Sequence, residues 1–333
     1  MRWMLADGEP FVGNEAAKTQ LSARLSGGAF PHAILIEGPA GSGRRTLAKL
    51  LAAAALCEAS DRPCGVCAAC RKVFGGYHPD VALLGGEGEA RSFHLDVVRQ
   101  LREDAYILPN EGMRRVFVLA DVQNMTEQAQ NALLKILEEP PAHVLFLLTC
   151  HQRSSLLETV LSRVFPVSLS GVPLEEATAV LRRRLPDRDE TELSRAAALW
   201  GGVIGQALKG LQDGSYKEIL ELLPRLADGI VAPTELSLLK ATAALEKRKD
   251  AVGAVLDGLR LILRDALCAR YGATSFLGTD SETPRTLAAA LTGKQLLDLL
   301  TVIDELQTAR LFNMNHTLFI TALCARLRRA AGR

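Results

Sequence analysis

The stretch IEGPAGSGRRTLAKLL, residues Ile36–Leu51, decides the fold of the first half of this chain. An apolar run from Ala33 leads into it, a glycine-rich turn follows, and an apolar-periodic segment leaves it. A strand, a glycine turn and a helix in this order form the loop in which backbone N–H groups and a helix N-terminus hold phosphate groups. We therefore predict an α/β domain built around a loop of the phosphate-binding type.

This loop fits the first six positions of the pattern G-x-x-x-x-G-K-[ST] but departs from the last two. Arg44 stands in place of the lysine, and its planar guanidinium is not equivalent to an ammonium. Arg45 stands where a hydroxyl would bind magnesium, which an arginine does not do. Thr46 comes one residue late, about 100° further round the helix. The glycines that fit the pattern are Gly38, Gly41 and Gly43.

A second segment departs from the pattern of a hydrolytic site in the same way. The strand-like run Val116–Leu119 is followed by Ala120 and Asp121, where a hydrolytic site would carry Asp-Glu to hold the metal and polarise water. Ala120 has no side-chain oxygen, and Asp121 is one methylene short. Changes at 45, 120 and 121 all affect magnesium chemistry, so we predict that the chain does not bind ATP productively. Weak residual phosphate binding and a plain strand-to-helix turn both remain open.

Short apolar runs alternate with helical patterns from about residue 31 to 170, which favours a parallel sheet with helices on both faces. After Gly171 the strand signals stop and helical patterns continue to the end. We expect an α/β domain over 1–170, a small helical domain over 171–210 and an all-helical domain over 211–333. The predicted strands are His32–Glu37, Val81–Leu84, Arg115–Leu119, Val144–Thr149 and Phe165–Ser168.

Two apolar stripes at helical spacing lie in the last predicted domain. Such stripes most often form a core, and they also permit packing against partner subunits. The first stripe is Val252, Val255, Leu256, Leu259, Leu263 and Leu267, and the second is Leu296, Leu299, Ile303 and Leu306.

Composition excludes several classes of function. The formal net charge of +1 gives no global imbalance that favours nucleic acid, and aromatic residues make up only 5% of the 333 residues. The first residues contain no apolar segment of signal-peptide length, and no uninterrupted apolar run is long enough to cross a membrane. A soluble, cytoplasmic protein is therefore expected, with no membrane partner.

Four of the seven cysteines lie in the stretch CEASDRPCGVCAAC, spaced C-x6-C-x2-C-x2-C. Overlapping C-x2-C steps wrap thiolates around one ion, and four thiolates in tetrahedral geometry suit zinc. No position stays open for water, so we predict a structural Zn²⁺ site without catalysis at the metal. His78 is a spare ligand, although its place before Pro79 favours a turn residue. The predicted ligands are Cys57, Cys64, Cys67 and Cys70.

Several further stretches carry a resemblance to a known family. NALLKILEEPP (Asn131–Pro141) is followed by an apolar strand and then by LSRV (Leu161–Val164), with the cysteine module in the same domain. With VGNEAAKTQL, HPD, ILPNEGMRRVFVLADVQNM and ARLFNMNHTLFITAL, these stretches resemble the clamp-loader family of the bacterial DNA polymerase III holoenzyme, of the AAA+ class, over nearly the whole chain. The resemblance implies a RecA-like domain with a zinc insertion, a helical lid domain and a helical collar domain for oligomerisation.

The resemblance also implies roles for individual residues. The family's S-R-C motif donates an arginine finger to the ATP of a neighbouring subunit, and here it reads Ser162-Arg163-Val164. Arg163 has the required chemistry, because a guanidinium neutralises phosphate charge even when it is donated in trans. A surface salt bridge is the alternative for Arg163. The family's sensor 1 region falls at Thr149–His151, where the residue that would face a phosphate stays open.

Together these features favour a non-hydrolysing stator subunit in a heteropentamer. Its implied partners are ATPase subunits (gamma/tau), a delta subunit and, through the complex, a sliding clamp and primer-template DNA. The alternative is an active ATPase subunit of the same complex that uses Arg44 in an atypical phosphate loop. A zinc-ribbon DNA-binding protein is a third interpretation, which the few basic residues near the cysteines disfavour.

Overall fold

The computed structural model describes residues 1–5, 8–25, 30–85, 95–246, 248–249, 251–278, 282–310 and 315–333. Residues 311–314 of the stretch ARLFNMNHTLFITAL lie outside the described residues. The chain forms two compact units, Met1–Val172 and Pro173–Arg333. The finer division of the second part into a lid domain and a collar domain stays a prediction.

The first unit contains a five-stranded sheet in the order β2-β3-β4-β1-β5, with every pairing parallel. The five predicted strands are confirmed, although the first begins one residue later and the fourth ends one residue later than expected. The three central strands are mainly aliphatic and buried on both faces, as is usual in a parallel sheet, whereas the two edge strands are partly exposed. The strands are β1 Ala33–Glu37, β2 Val81–Leu84, β3 Arg115–Leu119, β4 Val144–Cys150 and β5 Phe165–Ser168.

Helices cover both faces of this sheet. Alternate residues of β1 face opposite sides, so Ile34 and Ile36 pack into the cluster that contains α1, α2 and α3, whereas Leu35 packs into the cluster that contains α4, α5 and α6. Phe117 and Phe146 stack on the second side, 5.7 Å between ring centroids. The helices are α1 Glu15–Leu25, α2 Arg44–Leu56, α3 Ala68–Gly75, α4 Leu95–Ala105, α5 Glu127–Glu138 and α6 Glu158–Leu161.

The carboxyl ends of β1, β3 and β4 lie side by side, because β4 pairs with both of the others. The glycine loop follows β1, Ala120 and Asp121 follow β3, and His151 follows β4. Ligands of open parallel sheets bind at this edge. The topology therefore brings together residues that are far apart in the sequence.

Asp80, in the HPD stretch, anchors the loop that precedes β3. Its buried carboxylate accepts hydrogen bonds from the backbone N–H groups of Asn110 (2.5 Å), Glu111 (2.9 Å) and Gly112 (2.8 Å). Burial alone would raise the pKa of Asp80, but these donors outweigh burial and hold it below its usual value. His78 belongs to the same turn, since its Nδ1 accepts from the Asp80 backbone N–H at 3.1 Å.

Asp80→Ala is expected to lower the free energy of unfolding by about 2–4 kcal/mol, because three backbone donors lose their acceptor. Because folding lowers the pKa of Asp80, its carboxylate contributes fully to the free energy of unfolding at neutral pH. This contribution is lost as the pH falls below about 4, the ordinary pKa of an aspartate. Urea unfolding at pH 7 and at pH 3 measures both effects. Asp104→Ala, at a partly exposed aspartate of α4 that accepts a single hydrogen bond from the Gln100 side chain, serves as the control. Equal stability of the Asp80 and Asp104 variants at pH 7 would contradict this role.

The second unit is helical throughout its described residues. Both predicted apolar stripes lie in its core: every member is buried except Leu267, which is half-buried. These stripes therefore pack within the unit and are not available to a partner subunit. The helices are α7 Leu174–Arg184, α8 Glu190–Leu199, α9 Ile204–Asp213, α10 Ser215–Val231, α11 Leu236–Ala243, α12 Val252–Arg270, α13 Glu282–Ala290, α14 Gly293–Ala309 and α15 His316–Ala330.

In the described part of the chain, no single helix has the length and apolar character needed to cross a membrane. The helices α13 and α14 pass this test by length and composition only when they are taken as a pair, and they are bent by 118° at their junction.

Candidate functional site

The glycine loop keeps the backbone of a phosphate-binding turn. Gly41 and Gly43 adopt positive φ angles of 80° and 92°, which favour glycine. Gly43 is the N-cap of α2 and makes no side-chain cap, so the first turn of the helix presents its backbone donors towards the loop. Side chains therefore decide what this turn does.

The guanidinium groups of Arg44 and Arg45 both contact the carboxylate of Asp121. The Nη2 atom of Arg44 lies 3.2 Å from Oδ1, and the Nη2 atom of Arg45 lies 2.9 Å from Oδ2. The Asp121 backbone N–H donates to Thr149 Oγ1 at 3.0 Å, which fixes the residue to the end of β4. The Nε2 atom of His151 lies 3.3 Å from Arg44 Nη2 and 3.7 Å from Asp121 Oδ1. One carboxylate thus holds two guanidinium groups beside the glycine loop.

Burial and charge act in opposite directions in this cluster. Burial acts to raise the pKa of Asp121, but the hydrogen bond from Arg45 and the charges of both arginines outweigh it and lower the pKa. Burial lowers the pKa of Arg44, whose side chain is 9% exposed. An arginine stays charged in proteins, so Asp121 is the counter-charge that Arg44 needs. The side chains of Arg44 and Arg45 are therefore engaged with Asp121 in an internal ion-pair cluster.

The other altered positions offer no replacement ligand. Ala120 is buried at the end of β3 and presents only a methyl group. Thr46 is half-buried in the first turn of α2. Among the described residues, two buried donors at the loop have no hydrogen-bond partner, Ser42 Oγ and Arg44 Nη1. Together with the backbone N–H donors of the first turn of α2, these two side-chain groups could contact an anion.

Arg163 lies on a different part of the first unit, just after the short helix α6. Its Nη2 is 2.7 Å from Glu138 Oε1, and its Nη1 donates to the carbonyl oxygen of Thr159 at 2.7 Å and to Ser162 Oγ at 3.1 Å. The side chain is 33% exposed. The surface salt bridge considered from the sequence is therefore present in the free chain. A role in trans stays a prediction for Arg163 and Ser162.

The four clustered cysteines meet at one point. Their sulfur atoms all lie within 4.8 Å of one another, and the Sγ atoms of Cys57 and Cys67 are 3.9 Å apart. Zn–S bonds of about 2.3 Å in a tetrahedron place sulfur atoms about 3.8 Å apart, so the arrangement fits zinc. Cys57 caps the end of α2, and Cys67 and Cys70 lie at the start of α3. The described residues that form this group do not include His78.

Backbone donors prepare the cluster for a cation. The N–H groups of Cys64, Cys67 and Cys70 donate to the sulfur atoms of Cys57, Cys64 and Cys67, at 3.3–3.4 Å. Hydrogen bonds from backbone N–H groups lower the pKa of Cys64 to about 6, whereas burial raises the pKa of Cys57 and Cys70, which a bound cation would counteract. The four thiols are therefore able to hold a metal ion such as zinc.

The sequence pattern missed two contacts that the structure reveals. His151 joins the Arg44–Asp121 pair, and Glu138 is the partner of Arg163. His151 had a weak signal, since it follows a predicted strand at the same sheet edge as the glycine loop. Glu138 had none, because 25 residues separate it from Arg163 and only packing of α5 against the end of α6 brings them together.

Comparison with known proteins identifies the family of this chain. The family model "DNA polymerase III, delta subunit" matches residues 13–173. The delta' subunit of DNA polymerase III from Escherichia coli K12 is 30% identical over 315 residues, which cover 92% of this chain and 92% of that protein. The corresponding delta' subunit of Pseudomonas aeruginosa is 38% identical over 56% of this chain and 57% of its own length.

The tau subunit of DNA polymerase III from Salmonella typhimurium is 31% identical over 74% of this chain. The chain spans only 37% of the length of that subunit, so activities of the longer protein are not carried over to it. The delta' similarity, in contrast, extends over both units. The chain belongs to the DNA polymerase III delta' subunit family of clamp-loader proteins.

Proposed function

We propose that this chain is a non-hydrolysing stator subunit of a bacterial replicative clamp loader, which helps to load a sliding clamp onto primed DNA. It would assemble with gamma/tau ATPase subunits and a delta subunit in the cytoplasm. Within that ring it would donate Arg163 to the ATP of a neighbouring subunit. The ion-pair cluster of Arg44, Arg45 and Asp121 carries the first part of this proposal.

That cluster supports a non-hydrolysing role for a physical reason. Magnesium in such sites is bound through oxygen ligands and phosphate groups. Arg45 brings a positive charge to the position where magnesium would lie, and Asp121 is already neutralised by two arginines. A triphosphate with its metal ion would have to separate these ion pairs and would gain no hydroxyl ligand at position 45.

The isolated chain is expected to show no magnesium-dependent ATP hydrolysis. Asp121→Asn is expected to stay equally inactive, because it releases the arginines without supplying a metal ligand. It should also lower the free energy of unfolding by about 2–4 kcal/mol, since two guanidinium groups lose their counter-charge. Phosphate release and chemical denaturation measure the two effects. Turnover by the wild-type chain that requires magnesium would establish the alternative, an active ATPase.

Assembly is tested separately. Mixing the chain with gamma/tau and delta subunits of the same organism should give one complex in size-exclusion chromatography, and this complex should load a clamp onto primed DNA. A chain that stays apart from these subunits, or whose omission leaves loading unchanged, would refute the stator role while leaving the loop chemistry intact.

We also infer that the cysteine cluster holds zinc and that the ion is structural. Four protein sulfurs complete a tetrahedral shell and leave no position for water. The cluster joins the end of α2 to the start of α3, and α2 also carries Arg44 and Arg45 at its other end. The ion would therefore stabilise the helix that presents the altered loop.

A further inference from the structure

Helix α5 holds the segment Leu157–Arg163 at both ends. At the first end, Gln130 is 6% exposed, and its Oε1 accepts from the backbone N–H of Leu157 at 2.9 Å. Leu157 is the N-cap of α6 and has no side-chain cap of its own, so Gln130 supplies an acceptor at the start of that helix. At the second end, Glu138 contacts Arg163. One rigid element thus fixes where the arginine segment begins and where it ends.

The contact between Glu138 and Arg163 has a local cause. Glu138 is the last residue of α5, where the helix dipole disfavours a negative charge. A cation beside that helix end is favoured by both the dipole and the carboxylate. Arg163 supplies that cation, with 2.7 Å between Nη2 and Oε1.

Arg163 contacts residues of its own segment and one residue of helix α5. Thr159 and Ser162 lie on the same short segment as Arg163, so they move with it. Glu138 is the contact that ties the guanidinium to another element. These contacts use three of the five N–H donors of a guanidinium, so donors remain for a phosphate oxygen.

We propose that Glu138 is a positioning residue for Arg163, which holds the guanidinium in one orientation on the surface of α5 before a neighbouring subunit presents its ATP. The proposal rests on the proposed role of Arg163 in trans. A free arginine side chain samples many rotamers, and a group fixed in advance loses less freedom when it meets the transition state. Glu138 acts through Arg163 and needs no contact with the nucleotide.

The test uses DNA-stimulated ATP hydrolysis by the assembled clamp-loader complex, with kcat taken for the one neighbouring site that receives Arg163, because the other ATP sites turn over without this residue. Glu138→Ala is expected to lower kcat about two- to fivefold, in line with a partly exposed ion pair, with little change in the KM for ATP. Glu138→Gln keeps a hydrogen-bond acceptor without the charge, so its kcat should lie between those of Glu138→Ala and the wild type. Glu139→Ala, at the next exposed glutamate, is the matched control and should leave kcat unchanged.

A second arm separates positioning from a general structural effect. In a chain that already carries Arg163→Ala, adding Glu138→Ala should change kcat no further. An equal loss in both backgrounds would overturn the proposal, because Glu138 would then act without Arg163. A faster Glu138→Ala complex would overturn it as well, since Glu138 would restrain the arginine. If Arg163→Ala is inactive and Glu138→Ala is fully active, only the positioning role fails; if Arg163→Ala is fully active, both roles fail.

Discussion

Replacing Arg163 by alanine is expected to leave the chain folded and the ring assembled, yet to remove most ATP hydrolysis at the neighbouring site that receives the arginine. An arginine finger contributes about 10³–10⁵ to kcat in related phosphoryl transfers, because it neutralises charge that develops on the transferred group. The total rate of a complex with several ATP sites would fall less, since sites that do not receive this residue continue to turn over. Single-turnover hydrolysis on primed DNA, with nucleotide limiting, measures the effect.

Arg163→Ala should change the free energy of unfolding only slightly. Arg163 is 33% exposed, and its ion pair with Glu138, which is 48% exposed, contributes no more than about 1 kcal/mol after solvent screening. Arg163→Lys should recover only a small part of the rate, because an ammonium lacks the planar fork of a guanidinium. Arg99→Ala, on α4, removes an exposed arginine from the same unit and serves as the control. Wild-type single-turnover rates for the Arg163 variant would rule out the finger.

Cys70→Ser is expected to reduce bound zinc from one ion per chain to a small fraction, and to destabilise the first unit by about 3–5 kcal/mol. Cys70 is fully buried in α3, so its loss removes a ligand and places a hydroxyl in an apolar region. Metal content by mass spectrometry and thermal unfolding measure the two effects. A chelator should destabilise the wild-type chain in the same direction.

The control for this change is Cys268→Ser, a half-buried thiol in α12 of the second unit. It should retain zinc and wild-type stability of the first unit. A Cys70 variant that keeps one zinc ion and an unchanged melting temperature would show that this thiol is not a ligand. Loss of zinc without loss of stability would instead contradict the structural role of the ion.

Much of the fold could be predicted from local sequence. The strands were recognisable because short aliphatic runs end at glycine, proline or polar residues, and the cysteine cluster was recognisable because its four ligands lie within one stretch. Residue types at 45, 120 and 121 lead to the prediction that magnesium chemistry is lost, and this stays a prediction. These features depend on neighbours in the chain.

The remaining features depend on contacts between segments that are far apart in the sequence, which local patterns do not predict. Arg45 and Asp121 are 76 residues apart, and their contact requires that β1 and β3 flank β4 in the sheet. The apolar stripes of the second unit were compatible with a core or a partner surface, because periodicity shows which face is apolar and not what covers it. Only the packed helices established that these stripes are core.

The backbone of Asp121 has a consequence for evolution. Its φ angle of 59° lies in the left-handed region, which aspartate and asparagine tolerate better than longer residues. A mutation to glutamate, as in active sites of this class, would meet backbone strain before it gained any function. Mutating Arg45 to threonine first would weaken the charge balance around a carboxylate that Arg44 needs. Each single change towards a magnesium-binding site would therefore carry a cost while the other changes are missing, so under the proposed non-hydrolysing role epistasis would hinder the gain of hydrolysis by single mutations.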